Sequence, residues 1–194
     1  QLDTKLDDGG VSGSRELTIA TRQARATSRS DFSLHNVFEL LTAKGQRWLE
    51  QYQWSDAPVV TGTARVTLPE WTNSEPDWRV EVRPTVMLKG QVTSGPMTFR
   101  GIEVESMQSD LVYSNLTLRL PNLVAKRPEG EVRLALRSHT ESQDFHIDFR
   151  SSVDPHAITP AFEEEKQKKG FDYFSFNTSP VIEGQVWGRW RERE

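Results

Sequence analysis

Residues 130–150 read GEVRLALRSHTESQDFHIDFR, and they decide the fold class. Val132, Leu134 and Leu136 alternate with Arg133 and Arg137. After the polar stretch Ser138–Gln143, Phe145, Ile147 and Phe149 alternate with His146, Asp148 and Arg150. Successive side chains of a strand point to opposite faces, so each run has one dry side and one wet side. Two such runs joined by a short polar loop make an antiparallel hairpin with one solvated face.

The same period extends outward in both directions. Val60-Gly62-Ala64-Val66-Leu68 and Leu116-Leu118-Leu120 each keep one face. Trp78, Val80, Val82, Pro84, Val86 and Leu88 alternate with Arg79, Glu81, Arg83 and Lys89. Breaks fall between the runs, at Ser94-Gly95-Pro96 and at Arg127-Pro128-Glu129-Gly130. The spacing places strands at 15–20, 59–68, 78–93, 98–105, 109–114, 116–126, 130–139, 144–152 and 181–190. Pro84 has no N–H for a ladder, so it marks an edge or a bend.

Two helices interrupt the strands. One is expected from Leu34 to Ala43, with Val37, Phe38, Leu40 and Leu41 apolar and Gly45 ending or kinking it. The other is expected from Thr159 as cap and Pro160 at the first position, through Glu163-Glu164-Glu165 and Lys166, Lys168 and Lys169, to Gly170. Acids first and bases last suit the helix dipole.

A weak repeat runs at 121 to 122 residues. Arg29-Ser30 and His35 match Arg150-Ser151 and His156. Leu49, Tyr52 and Trp54 match Phe171, Phe174 and Phe176, and Pro58-Val59-Val60-x-Gly62 matches Pro180-Val181-Ile182-x-Gly184. The expected organisation is therefore the end of one unit over 1–57, a full unit over 58–179 and the start of the next over 180–194. Long-period repeats point to extended architectures.

Composition narrows the function. The chain has 194 residues, a formal net charge of −4 and no cysteine. Disulfides, thiolate metal sites and Cys nucleophiles are excluded, and the mildly acidic balance argues against nucleic acid as partner. No apolar run approaches the roughly 18 residues of a membrane-spanning helix. The polar start without Met is read as that of an excised fragment. His35, His139, His146 and His156 lack zinc-helix spacing. No nucleophile elbow, Walker loop or dinucleotide fingerprint occurs, and Asp7-Asp8-Gly9-Gly10 reads as a hairpin turn. No enzyme activity, metal or cofactor is expected. Six tryptophans raise glycan stacking as an option, though Trp54 aligns with Phe176 and Trp78 belongs to the dry face, both packing roles.

The dry face poses the functional question. Eight strands at about 4.8 Å spacing span nearly 40 Å. Helices of about ten residues span roughly 15 Å each and cannot cover that width. The sheet must fold into a sandwich, close as a barrel, or stay curled and open around a ligand. A hydrophobic content of only 35% favours the open form over two facing inner layers.

The stretch from Phe99-Arg100-Gly101-Ile102 to Pro160 resembles AsmA-like proteins of the bacterial envelope. The matching features are Tyr113-Ser114-Asn115-Leu116-Thr117-Leu118, Leu123, Arg127-Pro128-Glu129-Gly130, Asp144-Phe145 and Asp154-Pro155-His156-Ala157-Ile158. Pro58-Val59-Val60, and Trp71-Thr72-Asn73 with Pro76-Asp77-Trp78-Arg79, resemble the segment between repeats, so the likeness covers about residues 30–190. Such proteins are related to bridge-like lipid-transfer proteins. The resemblance implies a periplasmic β-groove anchored in the inner membrane by a segment absent from this chain. It implies phospholipid acyl chains as cargo, a role in outer-membrane biogenesis, and envelope or outer-membrane proteins as partners. The family brings no catalytic motif. The expected groove lining is Val80, Val82, Val86, Leu118, Leu120, Leu134, Leu136, Phe145, Ile147 and Phe149. The rival expectation is a closed β-sandwich that binds glycan or protein, or acts as a spacer.

Overall fold

The computed structural model describes residues 4–6, 9–31, 38–39, 43–161, 173 and 176–190. Period-two alternation becomes one ten-stranded antiparallel sheet. Its strands are β1 (Thr4–Leu6), β2 (Gly9–Thr18), β3 (Gln23–Ser30), β5 (Val59–Thr67), β6 (Met87–Ser94), β9 (Ser106–Ser114), β10 (Thr117–Arg127), β11 (Gly130–His139), β12 (Asp144–Ser151) and β13 (Ile182–Arg189). They lie in that order, so the chain meanders up and down across the sheet. β4 (Tyr52–Trp54), β7 (Met97–Phe99) and β8 (Ile102–Val104) leave the meander and form a separate three-stranded sheet. The sheet does not close, and none of the five buried apolar residues, Leu49, Val82, Met97, Val104 and Val153, lies on its ten strands, which argues against a closed sandwich.

Turn chemistry follows local sequence. Arg127 pairs with Gly130 across Pro128-Glu129, as the turn signal requires. Asn115 (φ 47°) and Leu116 (φ 57°) join β9 to β10, and Arg100 (φ 49°) and Gly101 (φ 80°) join β7 to β8. Two successive positive φ values define the hairpin turn whose twist matches the strands. Leucine is a poor residue for that conformation, because its Cβ crowds the backbone. Its carbonyl is nevertheless held, accepting from the Thr140 amide at 2.8 Å and the Thr140 hydroxyl at 3.0 Å.

The core is small and, apart from Val82 in the β5–β6 connection, lies at one end of the strands. Leu49, Met97, Val104 and Val153 are buried there. They come from α1 (Ala43–Leu49), β7, β8 and the segment after β12. The small sheet is tied to the large one where Glu105 N donates to Lys126 O at 2.8 Å. Tyr52 sits beside Phe99 at 4.9 Å, and burial pushes its hydroxyl pKa up against the opposing charge of Arg100.

Several expectations need correction. The strand expected at 78–93 begins only at Met87; Trp78–Val82 is a wide helical turn and Arg83–Thr85 a 3₁₀ turn. The cause is Asp77, whose carboxylate accepts from Arg79 N and Val80 N at 3.0 and 3.1 Å and so starts a helix. The strand expected at 15–20 is β2, which already contains Gly9 and Gly10; Asp7 and Asp8 lie outside the described residues. The strand expected at 98–105 is two short ones, because Arg100-Gly101 turns the chain. β1, β3 and β4 lie outside the expected strands.

The helices also shift. α1 continues past Gly45, so the helix does not end there as the first alternative expected. Most of 34–43 and all of 162–172 lie outside the described residues. The second cap sits earlier than Thr159: Asp154 accepts from His156 N at 2.9 Å, and Pro155 opens a 3₁₀ helix to Ala161 that contains Pro160. The logic of an acceptor followed by proline was right, but Asp154-Pro155 satisfies it first.

Candidate functional site: the apolar sheet face

Register decides which residues share a face. Leu118 lies opposite Ser138 and Leu120 opposite Leu136. Leu134 lies opposite Phe149, Leu136 opposite Ile147, and Ser138 opposite Phe145. Seven of the expected lining residues, Leu118, Leu120, Leu134, Leu136, Phe145, Ile147 and Phe149, therefore fall on one face of β10–β12. Each is half-buried, and none is sealed off.

Val80, Val82 and Val86 do not join them. They lie in the connection between β5 and β6, where Val80 is 68% exposed and Val82 is buried. Trp78, assigned by alternation to the dry face, is 58% exposed in the same connection.

Further residues belong to the face by register. Leu88 lies opposite Tyr113, Val92 opposite Ser109, and Gly90 opposite Leu111. Leu123 lies opposite Leu134, because a bulge at Pro121-Asn122 shifts the phase of β10 by one residue. Strict alternation counted along β10 assigns Leu123 to the wrong side. Pro121 was the available signal, since proline inside a strand marks a bulge or an edge.

Two phenylalanines have a second task. A Cβ on Gly184 would meet the Phe149 ring at 3.1 Å, and one on Gly188 the Phe145 ring at 3.3 Å. The rings thus lie over bare β13 backbone and compensate for its missing side chains. Phe145 also stacks on Trp190 with 4.0 Å between ring centres, and Trp190 Nε1 donates to Ser138 Oγ at 3.0 Å.

The other face is polar and wet. Arg150 pairs with Glu183 at 2.7 Å, Arg133 with Glu131 at 2.6 Å, and Arg189 with Asp144 at 3.1 Å. All but the half-buried Glu131 are exposed, so each pair contributes little to stability. The Asp144 carboxyl is held below its usual range by hydrogen bonds, first from Ser142 and then from Arg189. His146 meets Asp148 at 3.3 Å with both exposed, a solvated pair as expected from alternation. Gln91, Asp110 and Asn122 form a hydrogen-bonded cluster. Two shallow depressions, of about 720 and 680 Å³, are lined largely by such alternate positions, among them Thr61, Lys89, Gln91 and Asp110, and Arg133, Asp148 and Glu183. Of the expected lining, only Leu134 and Phe149 border either one.

Among the described residues, no group of three His, Asp or Glu is arranged to hold a metal ion, and no helix is long and apolar enough to cross a membrane. No protein family, curated protein or solved structure gives a match to this chain.

Proposed function

We propose that the chain is a lipid-handling module of the bacterial envelope, of AsmA-like type, whose apolar sheet face shelters acyl chains without enzymatic chemistry. One observation carries the reading: seven large apolar side chains share a face of an unclosed sheet and none of them is fully buried. An exposed methylene costs about 0.8 kcal/mol in water, and a long apolar surface removes that cost along its length. Aliphatic Leu, Val and Ile present no specific anchor, so a chain slides over them without a high barrier. The headgroup stays in solvent at the rim.

On this reading the protein works in the periplasm between the inner and outer membranes, supports outer-membrane biogenesis, and touches the inner membrane through another segment. Envelope proteins are its partners. No cofactor takes part.

Native mass spectrometry of the protein after gentle extraction tests the proposal. The expected result is adducts with phospholipid masses, lost in Leu134→Asp while far-UV circular dichroism keeps its strand signature. A well-folded, lipid-free wild-type species overturns it.

A further inference from the structure

The sheet repeats its own register. Leu6 lies opposite Gly9 as Arg127 lies opposite Gly130, 121 residues later. Val11 lies opposite Ser30 as Val132 lies opposite Ser151, and Leu17 opposite Ala24 as Ser138 opposite Phe145. The next pair continues the series at its outer strand with 122 residues. Ser30 lies opposite Val60 as Ser151 lies opposite Ile182, and Ala24 opposite Val66 as Phe145 opposite Gly188. Apart from the terminal pair Thr18–Gln23, every pairing among β1, β2, β3 and β5 thus recurs among β10 to β13 without a slip. A one-residue slip would reverse every side chain, so agreement over three strand pairs is a strong constraint.

β13 stands where β5 stands. β5 has a neighbour on its far side, β6, with Val60 opposite Val92, Gly62 opposite Gly90 and Ala64 opposite Leu88. β13 ends the sheet order, and no described residue pairs with its far edge. Val186, the counterpart of Ala64, is 47% exposed, while Ala64 is half-buried beside β6. A strand edge of eight residues is a template for another strand.

We infer that the outer edge of β13 is a docking site for one antiparallel strand with the side-chain pattern of β6. Its occupant places a branched apolar residue opposite Ile182, a glycine opposite Gly184 and a leucine opposite Val186. Main-chain hydrogen bonds supply affinity and the alternate side chains supply selectivity. The glycine requirement follows from β5 and β6, where a Cβ on Gly90 would lie 2.2 Å from Thr61 O. The inference rests on register alone and holds whether or not the apolar face carries lipid.

The test tethers the β6 sequence, residues 85–94 (TVMLKGQVTS), behind Glu194. A Gly/Ser linker of about ten residues has a span of roughly 17 Å, enough to lay the peptide along β13 at millimolar effective concentration. Hydrogen exchange of β13 amides is the readout. Exchange at alternate β13 amides is expected to slow at least about tenfold. A control peptide with Asp in place of Leu88 and Val92 gives no slowing. Slowing by neither peptide, or equal slowing by both, overturns the inference. So does sedimentation showing that untethered copies pair through β13, because the edge then takes its own kind.

Discussion

The middle of β3, β5 and β6 puts Ala24, Ala26, Ser28, Gly62, Ala64 and Gly90, flanked by Val60, Val66, Leu88 and Val92, on the face where β9 to β12 put Leu111, Tyr113, Leu118, Leu136, Phe145 and Ile147. Both halves belong to one sheet and share one strand register, yet they differ in side-chain volume. In the first half the backbones approach closely: a Cβ on Gly62 would sit 2.7 Å from Lys89 O. In the second half cross-strand pairs of large side chains hold the ladder, each contributing roughly 0.2–1 kcal/mol. An unclosed sheet can thus be held by backbone proximity in one part and by side-chain pairing in another. On the proposed function, the second half would do most of the sheltering.

The largest effect expected is in the small-residue half. Gly90→Val should cost about 3 kcal/mol, because its side chain must displace Thr61 backbone and cannot be absorbed by a rotamer change. Urea unfolding measures it. A cost below about 1 kcal/mol would show that this half has slack, and the contrast between halves would fail.

Leu134→Asp tests the other half. On an open face the new carboxylate keeps contact with water, so the expected cost is only about 1–2 kcal/mol. Loss of more than about 3 kcal/mol would mean that the side chain is sealed, and the two halves would then differ in cover as well as volume.

A smaller change of opposite sign is expected at the β9–β10 turn. Leu116→Gly removes the crowding of a left-handed leucine and should stabilise by about 1 kcal/mol, less the entropy glycine adds to the unfolded chain. A raised urea midpoint with unchanged slope is the signature. Destabilisation would place the leucine side chain among the contacts that hold the large-residue half.

The smallest effect is in acid, at the end of β12. Asp154 is held below the ordinary 3.8, first by the His156 amide and then by the His156 ring. Its depressed pKa means that it stabilises the 3₁₀ turn above 3.8 and that this is lost as pH falls through the lower folded value. The His156 amide proton should therefore shift with a midpoint below 3.8, and Asp154→Ala should abolish the titration. A midpoint at or above 3.8 breaks the assignment of the cap.

Much of this architecture was legible from residue order. Gly130–His139 was read to the residue, because alternation, a Pro-Glu-Gly turn and a polar loop all agree there. Alternation misled at Trp78–Val82, where Asp77 offered the amides a local acceptor and Pro84 withheld a ladder donor. β3 was missed because Gln23-Ala24-Arg25-Ala26-Thr27-Ser28 alternates small with polar and carries almost no hydrophobic signal. Its identity comes from its neighbours: β2 and β5 each present a complete edge, and β3 fills the space between them.

Side-chain period is a local property, set by the geometry of consecutive Cβ atoms. It gives a mainly β protein and the apolar character of β10 to β12, while matching residues, not period, give the 121–122-residue spacing that the register follows. Which strands neighbour one another, where β10 slips by a residue at Pro121-Asn122, and whether anything covers the face are long-range matters. They depend on hydrogen bonds and contacts between residues far apart in the chain, and no window of consecutive residues contains them.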